Sequence, residues 1–248
     1  MVCRIGINNT AEDKVIEFKS YASSSAGNFY TVSDDKTTLA LECGLPIVKI
    51  KKALNHKLHE VEACICTHEH GDHARAARDL LGVGVDVFCS AGTAGALELR
   101  SYYHHLHIVK ALEQFRVGPW AVLPFPVEHD AEEPLGFLIQ NGTDKLLFAA
   151  DTFYIRHRFA GLTMIALECN YSKATMAPDI PLAHKLRVMR SHMSLDTVLG
   201  FLAANDLRGV RQIHLLHLSD DNSNEKLFKA KVQAATGIPV YVAPKEAN

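Results

Sequence analysis

Three histidines and an aspartate fall within the stretch His68-Glu69-His70-Gly71-Asp72-His73, directly after the apolar run Val61-Glu62-Ala63-Cys64-Ile65-Cys66. The run is short, apolar and bounded by polar residues, as expected of a buried strand. A loop at the end of such a strand is a usual place for ligands held on a rigid scaffold. In an extended segment His68 and His70 point the same way, because side chains alternate with period two. Gly71 tolerates positive φ and so permits a sharp change of direction. Asp72 and His73 can then face a second point in space. Two histidines before the bend and an Asp-His pair after it suggest two adjacent metals. The helical His-Glu-x-x-His pattern differs, since its ligands lie one turn apart on one face. The plainer reading is a His-rich surface loop, with Asp72 capping the following helix.

Three more residues of the right type stand at the ends of expected strands. His129 follows Leu123–Glu128, Asp151 follows Leu146–Ala150, and His217 follows Ile213–Leu216. Each alone has an ordinary explanation, because strand-end histidines are common and an Asp before Thr152 can cap a turn. Together with the six-residue stretch they complete an inventory of metal ligands. His104, His105, His107 and His184 lack the strand-end setting and fall outside it.

The elements that must position these residues follow from periodicity and turn chemistry. Strands are expected at Val15–Phe18, Phe29–Val32 and Thr37–Glu42, with a turn-rich loop at Ser23–Asn28 and a hairpin at Ser33–Lys36. Pro46 suits the first turn of a helix through about Leu58. After the histidine loop come a helix over Ala74–Leu81, a strand at Asp86–Ser90 and a helix over Ala91–Arg100. Antiparallel strands follow at Phe115–Val117, Ala121–Val127, Leu135–Gln140 and Lys145–Ala149, with Asn141-Gly142 as a tight turn. A strand at Thr163–Glu168 precedes an irregular stretch through Pro181. A helix after Ser194, the run Ile213–Leu216, a helix near Asn224–Ala235 and a strand at Val240–Val242 close the chain. Hairpins followed by mixed β and α in each half predict an α/β protein of two facing mixed sheets with helices outside. The expectation is a four-layer αββα sandwich in one domain, residues 1–248.

Composition sets limits. At 48% hydrophobic and 22% charged residues the chain is ordinary for a globular protein. A net charge of −2 gives no global attraction to nucleic acid, though a local basic groove remains compatible with it. No secretory leader is evident after Met1, and no run approaches the ~18 apolar residues of a membrane helix. The six cysteines mostly sit in apolar, strand-like contexts, where they act as small hydrophobes. Cys64 and Cys66 are not spaced as C-x-x-C, so a zinc knuckle or thioredoxin-like motif does not fit. A soluble, cytoplasmic protein without a membrane partner is expected.

The full set of residues resembles the metallo-β-lactamase superfamily over nearly the whole chain. That likeness implies an αββα fold with two metals at one edge of the sandwich. His68, His70 and His129 would hold one metal; Asp72, His73 and His217 would hold the other; Asp151 would bridge them. Imidazoles and carboxylates suit Zn2+, and Mn2+ or Fe2+ accept the same donors. Closer details resemble the YycJ/WalJ-like group, related to RNase Z and PhnP-type phosphodiesterases. They are Ser24-Ser25-Ala26-Gly27-Asn28, Glu128-His129-Asp130-Ala131 with Pro134-Leu135-Gly136-Phe137, Ser191-His192-Met193-Ser194 and Leu215-Leu216-His217-Leu218-Ser219. The first departs from that group, which more often carries a glycine nearer the front. Asp151, where some relatives carry a bridging Cys, fits the hydrolase branches rather than β-lactam cleavage.

The resemblance implies a binuclear phosphodiesterase, with hydroxide attack on a phosphodiester of nucleic acid or of a nucleotide. Asp72 would orient the attacking group as well as bind metal. His192, before a helix capped by Ser194, would contact the phosphoryl group or protonate the leaving oxygen. Lys173, Lys185, Arg187 and Arg190 could form a phosphate-binding rim or an ordinary solvated face. One alternative is a cyclic-nucleotide phosphodiesterase resembling the phage anti-Pycsar enzymes. Others are thioester or lactone hydrolysis, which needs an acyl pocket, and a metal-stabilised binding protein, which a lost ligand would betray. Relatives of this kind are often homodimers.

Overall fold

Successive apolar side chains along each strand go to opposite faces, and this alternation builds the architecture. The computed structural model describes residues 4–5, 7, 15–102 and 104–246. The first sheet contains β2 (Glu17–Ser24), β3 (Gly27–Ser33), β4 (Thr38–Leu41), β5 (Val61–Ile65), β6 (Val87–Cys89) and β7 (Leu106–Ile108), in that spatial order. It is antiparallel through β4 and parallel beyond. The second contains β8 (Phe115–Val117), β9 (Trp120–Pro126), β10 (Leu135–Asn141), β11 (Asp144–Ala149), β13 (Met164–Glu168), β14 (Gln212–Leu216) and β15 (Val240–Val242). Its order is β15-β14-β13-β11-β10-β9-β8, antiparallel from β8 to β11 and parallel from β11 to β15. A short pair, β1 (Arg4–Ile5) with β12 (Arg158–Phe159), lies apart from both.

The helices are α1 (Ile47–Ala53), α2 (Gly71–Ala74), α3 (Ala77–Gly82), α4 (Ala91–Ala96), α5 (Leu182–Ser191), α6 (Leu195–Ala204) and α7 (Glu225–Thr236). Between the sheets, Tyr30, Leu39, Leu41 and Ile65 meet Val122, Phe137, Phe148 and Met164. The intervening residues face outward. Ala40 and Cys64 pack with Ile50 of α1 and Leu80 of α3. Leu147, Ile165 and Leu215 pack with Val198 and Leu202 of α6 and with Phe228 and Val232 of α7. Both faces of each sheet are therefore covered, as expected of the αββα sandwich. Each such buried aliphatic or aromatic side chain stabilises the fold by roughly 1.5–3 kcal/mol. Among the described residues no helix is long and apolar enough to cross a membrane.

Several elements differ from the sequence expectation. Ser23 and Ser24 end β2 and Gly27 opens β3, so the supposed loop at Ser23–Asn28 is a hairpin whose turn is Ser25-Ala26. The helix after Pro46 stops at Ala53, where Asn55 and His56 take positive φ. The helix expected over Ala74–Leu81 is two pieces, α2 and α3. α5 begins directly after the irregular stretch, where no element was expected; Leu182, Leu186 and Met189 stand at helical spacing in it, but only Ser191 is buried. β7 is three residues long and partly exposed, too short for a clear alternation.

The parallel register sets the site. Ala149, Leu167 and Leu215 are level on β11, β13 and β14. β9, antiparallel to β10 as β11 is, ends on the same edge.

Candidate metal centre

The histidine loop leaves β5 and turns at His70 (φ −58°, ψ 145°), whose carbonyl accepts from the His73 and Ala74 amides to start α2. Gly71 is not among the positive-φ glycines. The change of direction is thus the strand-to-helix turn itself and not a glycine conformation. The turn is pinned from below: the Cys43 amide donates to the His73 carbonyl at 2.7 Å, and Asn28 Nδ2 donates to the Asp72 carbonyl at 3.0 Å.

His68, His70 and His129 form one cluster, with ring centroids 4.7 Å (68–70), 4.7 Å (68–129) and 5.0 Å (70–129) apart. His70 Nδ1 and His129 Nε2 converge to 3.2 Å. Asp72, His73, Asp151 and His217 form a second cluster. There His73 Nε2 lies 3.5 Å from Asp72 Oδ2 and 3.4 Å from Asp151 Oδ2. His217 presents Nε2 to Asp72 Oδ2 at 3.5 Å and Nδ1 to Asp151 Oδ1 at 2.9 Å. Asp151 Oδ2 is also 3.8 Å from His129 Nε2, which puts this carboxylate between the clusters. His192 joins Asp151, His217 and Glu168 in a third, overlapping group.

Outer partners fix several ring orientations. His129 Nδ1 donates to the Ser191 carbonyl at 2.8 Å, leaving Nε2 for the cleft. Thr67 Oγ1 is 2.8 Å from His68 Nδ1 and donates to Glu42 Oε1 at 2.5 Å. The same Glu42 oxygen is 3.3 Å from His73 Nδ1. Such partners hold ligand tautomers in place. Buried polar atoms are normally hydrogen-bonded, yet His68 Nε2 and His217 Nε2 are buried and have no hydrogen-bond partner. Both belong to the imidazole–carboxylate clusters, a donor set that fits a divalent cation.

The electrostatics follow the two clusters. Burial pushes the His68 pKa well down, helped by the neighbouring His73. Burial also lowers His129, against the pull of Asp151. For His73 and His217 burial acts downward but the surrounding carboxylates, Asp151 foremost, outweigh it and hold both well above the usual histidine value. Burial would raise Asp151, but His217 and His73 keep it well below the usual carboxylate range. His192 is depressed by burial and raised on balance by Glu168.

A cleft of about 330 Å³ opens over these residues, lined by His70, Asp72, His129, Asp151, His192 and His217. The seven expected ligands and His192 converge here, with His68 and His73 buried behind the lining. Of the expected basic rim, only Arg187 lines the cleft, and its Nε donates to Asp130 Oδ2 at 3.2 Å. His184, one turn before it on α5, lines the cleft as well. Glu42 and Glu168 are the main residues that sequence reasoning passed over. Both end apolar strands, the same signal that marked Asp151.

Residues 41–218 match the family model described as Beta-lactamase superfamily domain. Exodeoxyribonuclease WalJ of Streptococcus pneumoniae is 25% identical over 227 residues, covering 85% of this chain and 84% of that protein. Exodeoxyribonuclease YycJ of Bacillus anthracis is 26% identical over 237 residues, covering 88% of each. The crystal structure of the metallo-beta-lactamase fold protein YhfI from Bacillus subtilis superposes with a TM-score of 0.72 at 14% identity, over 93% of this chain and 97% of that one.

Proposed function

The chain belongs to the beta-lactamase superfamily and is a metal-dependent hydrolase, and from that premise we propose a binuclear phosphodiesterase that degrades DNA as an exonuclease. The observation that carries the binuclear reading is Asp151, whose Oδ2 lies 3.4 Å from His73 Nε2 and 3.8 Å from His129 Nε2. A carboxylate so placed can span two cations. We assign His68, His70 and His129 to one ion, Asp72, His73 and His217 to the other, and Asp151 to both. Zn2+ suits this donor set best, and Mn2+ or Fe2+ can replace it. DNA is supported by the names of the two relatives, which share most of their length with this chain. The free, buried thiols support a reducing, cytoplasmic setting.

Two divalent ions, when bound, supply Lewis acidity toward the phosphoryl oxygens and a nucleophile from water at neutral pH. The protein does the rest. Asp72, partly open to the cleft, accepts a hydrogen bond from the attacking group and so aims it at phosphorus. His192 keeps Nδ1 on Glu168, which leaves Nε2 to offer its proton to the leaving oxygen. Glu168 holds the His192 pKa above the usual histidine value, which favours the protonated donor.

The alternative substrate is a cyclic nucleotide. A cleft of about 330 Å³ is at the small end of ligand sites, and the net charge of −2 offers no general attraction to a polyanion. A parallel assay of metal-loaded protein decides between them, using single-stranded DNA, RNA, 2′,3′- and 3′,5′-cyclic nucleotides, bis-p-nitrophenyl phosphate and a thioester. Progressive shortening of DNA is expected. Turnover of the cyclic nucleotides alone would replace the exonuclease reading, and turnover of the thioester alone would remove phosphodiester chemistry altogether. Metal analysis should give about two equivalents per chain. Asp151→Ala should lose metal and turnover together.

A further inference from the structure

The segment after Asp151 runs Phe153-Tyr154-Ile155-Arg156-His157-Arg158. Ile155 is buried in the outer core, but Phe153 and Tyr154 are 43% and 48% exposed, with ring centroids 6.3 Å apart. Exposing two adjacent aromatic rings has no folding benefit. The segment is nevertheless held firmly to the site. The Phe153 amide donates to the Glu128 carbonyl at 2.7 Å, and Arg156 Nε donates to Glu128 Oε1 at 2.5 Å, one residue before His129. That bond uses one of the five donors a guanidinium carries. Arg158 is exposed.

Between this segment and α6 lies a groove of about 560 Å³. Phe201 gives it an apolar floor, Asp196 borders it, and Gly200 leaves its helical wall open, since a Cβ there would meet nothing within 4 Å. Phe153 is two residues from Asp151, at most about 7 Å of extended chain. One wall of the groove therefore starts within that length of chain from the metal centre.

We propose that this groove is the track for single-stranded DNA beyond the scissile phosphodiester, with bases stacking on Phe153 and Tyr154 and phosphates meeting Arg156 and Arg158. The proposal rests on the exonuclease reading above. Aromatic faces interleaved with cations are what a sequence-tolerant single-strand site requires, because every base has a π-face and every nucleotide a negative charge. A purely apolar partner would leave the exposed Arg158 unmatched, whereas Arg156 keeps donors beyond the one given to Glu128. The track also supplies what the net charge of −2 does not: a local attraction to a polyanion.

The test measures anisotropy of a fluorescein-labelled 15-nucleotide oligo(dT) on the full chain in EDTA, where no cleavage occurs. Turnover of bis-p-nitrophenyl phosphate by metal-loaded protein is followed beside it, because that substrate is too small to reach the groove. Phe153→Ala and Tyr154→Ala should each weaken oligonucleotide binding by about 5- to 100-fold, with turnover of the small substrate unchanged. Tyr154→Trp should retain binding, and Gly200→Phe should block the groove from the far wall. Arg158→Gln should reduce the salt slope of binding by about one. Wild-type-like affinity in Phe153→Ala, Tyr154→Ala and Gly200→Phe overturns the track while leaving the phosphodiesterase reading intact. So does a wild-type chain that fails to bind the oligonucleotide, or a substitution that changes only the oligomeric state in sedimentation. Failure of the wild type to turn over any phosphodiester is the separate result that would remove the proposed function.

Discussion

Glu168 Oε1 lies 2.5 Å from His192 Nδ1, in a carboxylate with no solvent exposure. Its second oxygen accepts from the Thr152 and Met193 amides at 2.7 and 3.1 Å. One buried carboxylate thus fixes the chain on both sides of the site: the turn after Asp151 and the residue after His192. Burial alone would raise its pKa, and the facing His192 lowers it on balance.

Glu168→Gln keeps the shape and removes the charge. An outer partner of this kind typically accounts for about 10–100-fold in activity or metal affinity. Turnover of bis-p-nitrophenyl phosphate should fall within that range while the fold persists. The sharper sign is the pH profile. Glu168 raises the His192 pKa, and the proton donor is the charged form, so activity declines as pH rises through that pKa. Without the carboxylate the declining limb should move to lower pH. A uniform loss across pH would make Glu168 a structural support only.

Gly44→Ala tests how tightly the histidine turn is held. A Cβ at Gly44 would overlap the Asp72 carbonyl and crowd the Asn28 amide, both backbone atoms. Overpacking of this kind destabilises by about 1–3 kcal/mol, occasionally more. The turn should shift, so metal content should fall together with the melting temperature. Gly71→Ala is the contrast, since Gly71 has ordinary φ and nothing within 4 Å of its missing Cβ. It should stay within about 0.5 kcal/mol of the native protein. Equal stability of both variants would mean that the turn does not depend on close packing against β4 and its exit.

The two glycines also show what the sequence could and could not convey. His68, His70, Asp72 and His73 were legible because imidazoles crowd a strand end, where folding gives no reason for them. His129, Asp151 and His217 were legible by the same placement, each at the end of an apolar run. Glu42 and Glu168 have that placement too, but their partners are distant in sequence: Thr67 for one, His192 for the other. A carboxylate closing a strand reads as a simple boundary until those contacts exist. α5 was passed over for a different reason. Leu182, Leu186 and Met189 stand at helical spacing after Pro181, but they alternate with Lys185, Arg187 and Arg190, which read as a charged rim. Leu182 and Leu186 are exposed rather than core-facing. Gly71 invited a conformational explanation because glycine at a bend usually needs one. Gly44, the glycine with no room for a side chain, gave no such hint.

His214 gives a pH-dependent contribution to stability. It sits on β14 between Phe18 (4.8 Å, edge-on) and Tyr241 (5.2 Å, stacked), and its Nε2 is buried without a partner. Burial pushes its pKa down to about 4, whereas the unfolded chain titrates near ~6.5. The unfolded state therefore binds more protons between these values, and stability rises with pH across the window. The contribution is complete above ~6.5 and is lost as pH falls toward about 4. At pH ~5 the difference amounts to about 2 kcal/mol as an upper figure. His214→Phe keeps the aromatic packing and removes the titration. Urea unfolding of the metal-free protein at pH ~7 and ~5 should show a smaller drop for the variant than for the native chain. Identical drops would mean that His214 is solvated in the folded state and that acid sensitivity between these pH values arises elsewhere, foremost in His68 and His129, which burial also holds below the usual histidine value.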